Sequence, residues 1–506
     1  MHYFKLLVKR IVESLAVLRA VLRCRPGLVA AGAALLGQWL LRRALPGAPF
    51  APYSLANRVV RIVPGDIATR SIDLLGHRAL DLAAGSSVVA ALVLAFALGQ
   101  RRAAFFGISA FGLTVVAAGL DPVHPAVLPS VLSASVAALA AFGAVTLLSQ
   151  QPAEARPGPA SPSRRGFIAG ALMGAGLTGL GTAAVWRSLA ASGSPGLVRA
   201  DRSPDVPGDR AFDAVPGLTP RITPTADHYV VDINLDDPFL SASSWRLKVS
   251  GAVRSPGTLA LADLRAMATS EQPILLQCIS NPVAGGLIGN ARWTGVRLAD
   301  VLELAGLTSA ATALIVRAAD DYSETVPNEV ARGEDAFLVF GMNGRLLPVA
   351  HGYPARLILP GRYGMRSVKW VTSIEATGDR TEGYWEKRGW DREAIMRTGA
   401  RFDSPRNGAT VGSRLTAAGL AYAGERGVQR VEVSSDDAKT WRAVTLEPAP
   451  GPFAWRRWMV NLDLEPGVHA LQVRTTDGTG AIQSPDRMPP HPSGASGYHR
   501  VVVTSA

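Results

Sequence analysis

The chain has 506 residues, of which 48% are hydrophobic, and a net charge of +12. Its length exceeds one ordinary domain, and its mean hydropathy of +0.18 indicates that part of it lies in lipid. Residues 1–165 hold 17 of the 52 Lys and Arg but only 6 of the 40 Asp and Glu, so the remainder is nearly neutral. Because the basic excess flanks apolar runs, where it sets membrane topology, the composition argues against a nucleic-acid partner.

Five apolar runs near the N-terminus predict transmembrane helices, because most of them approach the roughly 20 residues needed to cross hydrocarbon. The runs are Gly27–Leu41, Leu80–Leu98, Ala103–Leu120, Val127–Leu148 and Gly166–Trp186. The first run is short and is closed by Arg42 and Arg43, so a buried or interfacial helix is the alternative there. Residues 1–150 are therefore predicted to be a membrane domain with about four transmembrane helices.

A possible export signal opens the fifth run. Residues 151–190 combine a Pro/Ala/Ser-rich linker with Ser163-Arg164-Arg165-Gly166-Phe167-Ile168, which leads directly into an apolar, Gly-rich helix. This pattern resembles a twin-arginine signal, and positive-inside flanking is the other explanation of the arginine pair. Five alternating spans place everything after Trp186 outside. We therefore expect a multi-pass plasma-membrane protein with its soluble part on the extracytoplasmic side.

After a tether at residues 191–222, residues 223–400 have the composition of a mixed α and β domain. Trp245–Val249 alternates as a strand does, and Leu298–Leu307 predicts a helix ending near Gly306. Pro273–Cys278 is a largely apolar run followed by a turn-rich segment. It predicts a buried strand that delivers Cys278 to a loop.

Residues 401–506 change to regularly spaced strands with turn signals between them, which predicts a small β-sandwich. The strands expected are Gly427–Ser434, Trp458–Leu462, His469–Thr475 and Tyr498–Thr504. Three tryptophans, Trp441, Trp455 and Trp458, fit either a core or an interface.

Cys278 is one of only two cysteines, and the other is Cys24, which is too few for a disulfide framework. In the predicted topology the two lie on opposite sides of the bilayer, so Cys278 is expected to be an unpaired thiol. A lone buried cysteine is usually a small hydrophobe. Here it opens Ser280–Gly286, where small residues let backbone donors approach a bulky ligand. A soft thiolate also suits a transition metal.

Three blocks carry a resemblance to a known family: Thr223–Tyr229, Cys278–Gly295 and Gly341–Trp370. In the third block, Arg356, Arg366 and Lys369 accompany Gly361 and Gly364. Guanidinium, ammonium and free backbone N–H donors of this kind suit a phosphate group. On these blocks the chain resembles the oxidoreductase molybdopterin-binding family, which includes sulfite oxidases and bacterial sulfoxide reductases, and particularly its membrane-anchored bacterial subgroup.

The resemblance implies a fold, a cofactor and a set of site residues. The expected fold is an α-helical transmembrane region, an α+β sulfite-oxidase-type molybdopterin domain and a C-terminal Ig-like β-sandwich of the dimerisation type. The expected cofactor is molybdenum-molybdopterin, with Cys278 as the protein ligand to the metal. The implied catalytic residues are Cys278, Tyr322 and Arg366, and the implied cofactor-binding residues are Asp227, His228, Tyr229, Val230, Cys278, Arg317, His351, Arg356, Ser367, Val368 and Lys369.

The sequence departs from the family at the substrate side. Sulfite oxidases place arginines just after the cysteine, whereas Ser280-Asn281-Pro282 follows here and the nearest arginine is Arg292. Pro282 and Gly286 stand where the closest subgroup usually carries Glu and Asp. The prediction is two-electron oxygen-atom transfer of the sulfite-oxidase type. The alternatives are a sulfoxide or other S- or N-oxide reductase, and a non-catalytic membrane-tethered binding protein on a degenerate cofactor fold.

The partners expected are a small-molecule substrate, the membrane and a separate electron-transfer protein, cytochrome or quinone-linked. The sequence lacks a CxxCH motif, and two cysteines are too few to ligate an iron–sulfur cluster, so neither haem nor Fe-S is predicted. His77 and His124 lie at loop or span edges in the predicted topology, which favours anchoring over haem binding in the membrane region. A homodimer through the C-terminal domain is also expected.

Overall fold

The computed structural model describes residues 34–42, 50–62 and 208–506. These residues fall into two compact units. The first contains the two N-terminal segments together with Asp232–Phe239, and the second contains the rest of the chain from residue 208 onward.

The first unit is built from two short helices and the segment Asp232–Phe239. Residues 34–42 (α1) are helical, and α2 spans Ala51–Ile62. The Arg42 guanidinium donates to the carboxylate of Asp236, whose side chain is only 1% exposed. The Asn57 Oδ1 accepts a 2.9 Å hydrogen bond from the backbone N–H of Leu235. Polar side chains therefore fasten this segment to both helices.

None of the helices within residues 34–42, 50–62 and 208–506 has the length and apolarity required to cross a membrane. The described part of Gly27–Leu41 is helical from residue 34. The other four predicted spans and the twin-arginine-like segment lie outside the described residues. The membrane topology stays a prediction.

The second unit begins with a five-stranded sheet in the order β2-β1-β10-β5-β6. Its strands are β1 (Leu247–Gly251), β2 (Gly257–Leu259), β5 (Ala313–Ala318), β6 (Ser323–Pro327) and β10 (Val371–Thr377). β1 and β10 run parallel, and the other pairs are antiparallel. The strand predicted at Trp245–Val249 is confirmed as β1, although it begins at Leu247.

A second sheet carries the strand that leads to Cys278. Its strands are β3 (Ser270–Gln277), β4 (Ile288–Arg297), β7 (Phe337–Met342), β8 (Arg345–Leu346) and β9 (Arg356–Ile358). They follow the order β3-β4-β7-β8, with β9 also paired to β7. Apolar side chains such as Ile274, Leu276 and Trp293 form the core on this sheet. The predicted buried strand ending at Cys278 is confirmed.

Short helices connect these strands. They are α3 (Arg210–Asp213), α4 (Leu261–Ala266), α5 (Leu298–Ala305) and α6 (Asn328–Ala331), with 3-10 turns at Val349–His351, Gly364–Arg366, Glu386–Arg388 and Gly424–Arg426. In α5 the buried residues Leu298, Val301, Leu302 and Ala305 recur at helical spacing on one face. Gly306 ends α5 with a φ of 68°, a conformation that glycine adopts without strain. The predicted helix and its end are confirmed.

The C-terminal region is a sandwich of two sheets, as predicted. One sheet has the order β11-β13-β17-β16 and the other β12-β19-β18-β14-β15. The strands are β11 (Gly399–Ser404), β12 (Thr410–Val411), β13 (Arg414–Tyr422), β14 (Val428–Ser434), β15 (Arg442–Ala443), β16 (Thr445–Leu446), β17 (Arg456–Asp463), β18 (Gly467–Asp477) and β19 (His499–Ser505). All four predicted strands are present. Trp455 and Trp458 are core residues, at 1% and 0% exposure, whereas Trp441 packs under Arg474, whose guanidinium lies 4.2 Å from the ring centroid.

Gly295 marks the tightest backbone approach in the second sheet. A Cβ there would lie 2.3 Å from the carbonyl oxygen of Leu338 and 2.5 Å from the Cα of Val339. We expect Gly295→Ala to lower the free energy of unfolding by about 1–3 kcal/mol, because the strands must separate to admit the methyl group. Urea denaturation measures this change. Gly257→Ala is the control, since a Cβ there meets nothing within 4 Å; an equal loss in both variants would contradict the prediction.

Candidate functional site

The three sequence blocks meet in space through polar contacts. Thr223 and Asn290 exchange two hydrogen bonds, of 2.7 Å between their backbones and 3.0 Å through the Thr223 hydroxyl. The Asn343 side chain accepts from the backbone N–H of Arg292 at 2.9 Å and donates to the carbonyl of Thr223 at 3.1 Å. One asparagine thus joins all three blocks. This arrangement is consistent with the expectation that the three blocks form one site.

The loop after β3 holds Cys278 by its backbone and leaves its thiol half-buried. The Cys278 N–H donates to the carbonyl of Leu287 at 3.0 Å, and Asn281 Oδ1 accepts from the Leu287 N–H at 2.9 Å. The sulfur lies 3.0 Å from the hydroxyl oxygen of Ser280. Burial raises the pKa of the Cys278 thiol. The loop is tight at Gly285, where a Cβ would lie only 2.3 Å from Asn281 Oδ1.

Tyr229 reaches the end of the strand that carries Cys278. A Cβ on Gly364 would lie 2.6 Å from the Tyr229 hydroxyl and 3.4 Å from the carbonyl oxygen of Gln277. Gly364 therefore leaves the room that this tyrosine occupies. Burial, and secondarily the negative charge of an ionised Cys278, raise the pKa of Tyr229, so the phenol is a hydrogen-bond donor at neutral pH.

Two histidines form an aromatic corner beside these residues. The rings of His228 and His351 are perpendicular with centroids 5.3 Å apart, and His228 also meets Trp293 at 5.8 Å. The His351 Nε2 lies 3.2 Å from the carbonyl oxygen of Thr225. Burial lowers the pKa of His228 to about 3 and that of His351 to about 4. Both rings are therefore neutral at physiological pH and carry one N–H each. The His351 N–H donates to the Thr225 carbonyl, and the His228 Nδ1–H donates to the Tyr229 carbonyl at 3.2 Å. The second nitrogen of each ring is a hydrogen-bond acceptor.

Arg356 and Lys369 bring positive charge to the same region. The Arg356 side chain, 7% exposed, lies over the ring of Trp293 at 5.4 Å. It donates to the carbonyls of His351 and Ser367 at 3.5 and 3.4 Å, near the limit of a hydrogen bond. The Lys369 Nζ donates to the carbonyl of Ala350 at 3.0 Å. Arg356 and Lys369 thus bring guanidinium and ammonium charge, the kind that attracts an anion, to this region.

Arg366 and Tyr322 belong to a buried cluster of charges that the sequence reasoning missed. The Arg366 guanidinium donates to Glu324 and, at 2.9 Å, to Glu386. The Tyr322 hydroxyl donates to the carbonyl of Met365 at 2.6 Å. In β6 Ser323 is half-buried and the four residues from Glu324 to Pro327 are all buried, so no alternation in the sequence marks Glu324. The position of Glu386 on a loop offers no such signal.

The remaining predicted residues have mixed placements. Asp227 and Val230 are exposed, and Val368 is buried at 1% exposure. Arg317 lies on the exposed face of β5, where its guanidinium donates to Glu375 at 2.7 Å. The structure does not bring Arg317 to the histidine corner through any described contact. Its assignment to cofactor binding stays a prediction.

Two known domains match the chain. Residues 234–385 match the oxidoreductase molybdopterin binding domain, and residues 403–505 match the Mo-co oxidoreductase dimerisation domain. Sulfite oxidase of Gallus gallus is 30% identical over 307 residues, covering 51% of this chain and 67% of that protein. The chain belongs to the sulfite oxidase family of molybdopterin oxidoreductases.

Two other relatives show the breadth of the match. Mitochondrial sulfite oxidase of Homo sapiens is 31% identical over 291 residues, covering 47% of this chain and 53% of that protein. Nitrate reductase [NAD(P)H] of Hordeum vulgare is 28% identical over 354 residues, covering 56% of this chain and 39% of that protein. This family member thus spans about half the length of the human relative.

Membership in the sulfite oxidase family implies the molybdenum-molybdopterin cofactor, and the donor set fits such a group. Cys278 would supply one soft sulfur ligand, which a metal would hold as thiolate against the burial that raises its pKa. Arg356 and Lys369 would supply cations for an anionic phosphate. His228 has a buried Nε2 without a hydrogen-bond partner of good geometry in the described part of the chain, as expected beside a polar ligand.

The neutral histidines predict a loss of stability in acid. The pKa values of both histidines in the folded protein lie below the value near 6.5 in the unfolded chain. The stability that comes from keeping the rings neutral is therefore fully present above pH 6.5 and is lost as the pH falls towards about 4. Between pH 7 and pH 4 we expect cofactor-free wild type to lose about 2–3 kcal/mol more unfolding free energy than His351→Gln. Urea denaturation at each pH measures the difference. His469→Gln serves as a control that should follow wild type; identical pH dependence of all three proteins would contradict the prediction.

Proposed function

We propose that the chain is a membrane-anchored, extracytoplasmic molybdenum-cofactor oxidoreductase that performs two-electron oxygen-atom transfer, with Cys278 as the protein ligand to the metal. The observation that carries the proposal is that the half-buried Tyr229 interacts electrostatically with both the half-buried thiol of Cys278 and the guanidinium of Arg356. When bound, the cofactor supplies a metal that exchanges two electrons and an oxygen atom with the substrate.

The protein's own contribution is to bind and orient. Arg356, Lys369 and the backbone around Ser367 would hold the phosphate end of the pterin, and the second ring nitrogens of His228 and His351 would accept hydrogen bonds from its polar edge. Tyr229 would donate its phenolic hydrogen near Cys278, since its raised pKa keeps it protonated. These donors are fixed before the cofactor binds, which lowers the reorganisation needed during the reaction.

Sulfite is the first candidate substrate, because the Homo sapiens and Gallus gallus relatives are both sulfite oxidases. A second candidate is reduction of an S-oxide, N-oxide or similar oxygen donor. Two observations favour it: the loop after Cys278 offers neutral Ser280 and Asn281, and the charge of Arg292 faces Glu271 at 3.5 Å. One relative is also named a nitrate reductase. Oxidation and reduction can use the same centre in opposite directions.

Anchoring and partners form the remaining part of the proposal. The apolar runs before residue 190 would hold the protein in the plasma membrane, and the arginine pair at Arg164-Arg165 would direct export of the folded, cofactor-loaded domain. An external cytochrome or quinone-linked protein would exchange electrons with the site. The match to a dimerisation domain supports a homodimer through the C-terminal sandwich.

Replacing the proposed ligand tests the enzyme assignment. We expect wild type, purified in detergent from a host that makes the cofactor, to carry about one molybdenum per chain by elemental analysis. We expect Cys278→Ser to lose at least 100-fold in turnover of sulfite or S- and N-oxides, because the hard hydroxyl replaces a soft metal ligand. Cys24→Ser is the matched control and should behave as wild type. Folded wild type without molybdenum would instead support the non-catalytic alternative.

A second experiment tests the export signal. Replacing Arg164 and Arg165 together by lysine keeps the positive charge but removes the arginine pair that a twin-arginine signal requires. We expect the C-terminal domain to stay inside, protected from protease added to intact spheroplasts, whereas wild type is digested. The same change at Arg101 and Arg102 is the control. Digestion of the Arg164/Arg165 variant would mean that the pair acts only as positive-inside flanking charge.

A further inference from the structure

Arg366 is a buried cation held by two buried carboxylates. Its side chain is 2% exposed, and the side chains of Glu324 and Glu386 are 0% and 5% exposed. The guanidinium also donates to the carbonyl of Thr325 at 3.1 Å and to that of Arg392. The contacts to Glu324 and Thr325 are buried and those to Glu386 and Arg392 are part-buried. The buried charges of Arg366 and Glu324 therefore depend on each other for compensation.

The cluster joins three separate parts of the fold. Glu324 lies on β6, and Arg366 ends the 3-10 turn Gly364–Arg366. Glu386 begins the 3-10 turn Glu386–Arg388. Arg366 thus ties the segment Gly364–Lys369, which leads to the cofactor-binding cations, to both a strand and a loop.

Local packing holds Glu324 in one place. A Cβ on Gly383 would lie 2.2 Å from Glu324 Oε1, so no larger residue fits beside the carboxylate. The Tyr322 hydroxyl lies 3.3 Å from Glu324 Oε2 while donating at 2.6 Å to the carbonyl of Met365. The strand residue and the 3-10 turn are therefore connected by a tyrosine as well as by the ion pair.

The loop held by Glu386 carries a row of aromatic rings, here named the aromatic loop (Tyr384–Trp390). The ring of Tyr384 lies 5.6 Å from that of Tyr322, and Trp385 contacts both Tyr384 and Trp390, at 5.1 and 6.4 Å. Trp390 shares one apolar cluster with Ile279 and Met365. Ile279 directly follows Cys278, and Met365 directly precedes Arg366. The aromatic loop therefore packs beside the chain at Cys278 and at Arg366.

A buried ion cluster is a weak source of stability, because removing water from the charges costs as much as their attraction returns. It is a stronger source of geometric definition, because each guanidinium N–H has a fixed direction. Two carboxylates, those of Glu324 and Glu386, face Arg366. Glu386 has a second cationic partner in Arg392, whose Nε lies 3.1 Å from Glu386 Oε2. The arrangement therefore suits positioning.

We infer that Glu324 and Glu386 are positioning residues for the proposed oxygen-atom transfer, which hold Arg366 so that the Gly364–Lys369 segment and the aromatic loop keep one arrangement beside Cys278. This inference rests on the proposed function. Glu324 acts on the segment through Arg366, and Glu386 acts on the aromatic loop through the same guanidinium.

The carboxylate of Glu324 also changes charge near neutral pH. Burial raises its pKa to about 7, against the opposing effect of Arg366. The groups that face it are Arg366 from the 3-10 turn, Tyr322 from the turn before β6, and Glu386 from the aromatic loop. As pH rises through about 7, Glu324 becomes charged and binds Arg366 more strongly.

Carboxylate-to-amide variants test the inference. Glu324→Gln and Glu386→Gln keep the shape and remove the charge, and Glu393→Gln is the matched control, because Glu393 is 50% exposed and lies close to the same loop. The measurements are molybdenum per chain, kcat and KM from pH 5.5 to 8.5 with the substrate that wild type turns over, and hydrogen exchange of peptides covering residues 362–371 and 382–393.

We expect both buried variants to retain molybdenum within about twofold of wild type and to lose at least tenfold in kcat/KM, about 1.4 kcal/mol. The inflection of the wild-type profile near pH 7 should disappear in Glu324→Gln, which a purely structural role would not produce. Both peptides should exchange faster in the buried variants and unchanged in Glu393→Gln.

Wild-type kinetics with an unaltered pH profile in Glu324→Gln would overturn the inference, as would unchanged hydrogen exchange in both buried variants. Hydrogen exchange is independent of the metal. If wild type lacks molybdenum, the proposed function fails. Faster exchange in the two buried variants than in wild type would then still show that Glu324 and Glu386 hold the two segments. Exchange as slow as in wild type would refute the positioning role together with the proposed function. Should Glu324→Gln not fold, Glu386→Gln at the edge of the cluster decides by the same criteria.

Discussion

The pairing of β3 with β4 is the constraint on which the site depends. The register runs from Ser270 opposite Gly295 to Gln277 opposite Ile288 without a break. It fixes both ends of the loop that begins with Cys278, so that the loop needs only a few side-chain contacts to have one shape. Because β4 also pairs with β7, the same register places Arg292 beside Asn343 and draws in the segment from Thr223.

The sandwich supports this loop from the other side. The Leu275 N–H donates to the carbonyl of Phe453 at 3.0 Å, and the Gln277 amide donates to the Tyr422 hydroxyl at 3.3 Å. The guanidinium of Arg401 donates to the carbonyl of Gly285 at 2.8 Å. The domain related to dimerisation thus also contributes to the position of Cys278. A change in the sandwich can therefore reach the candidate site without touching it.

Electrostatics around the site divide it into two regions. Near Tyr229 and the histidines, burial keeps the ionisable groups neutral, and the cations Arg356 and Lys369 face carbonyls and rings. Around Arg366, by contrast, two buried carboxylates pair with the cation. The first region presents positive charge of the kind that attracts an anionic ligand, and in the second the charge of Arg366 is paired with Glu324 and Glu386. This difference separates the residues proposed to bind from those inferred to position.

The sequence by itself determined the elements whose signals are local. Pro273–Cys278 is a largely apolar run, and Leu298–Gly306 combines helical spacing of apolar residues with a terminating glycine, so β3 and α5 could be predicted. The four sandwich strands could be predicted in the same way from their own alternation and turn residues. Cys278, the histidines and Arg356 were found by family resemblance. Only the tertiary structure decided that Arg366 faces Glu324 and Glu386, since these partners lie 42 and 20 residues away along the chain. It also decided that Arg317 pairs with Glu375 across neighbouring strands. Local periodicity shows which side of an element is buried, but a charge finds its partner through the packing of distant elements, and no sequence pattern records that distance.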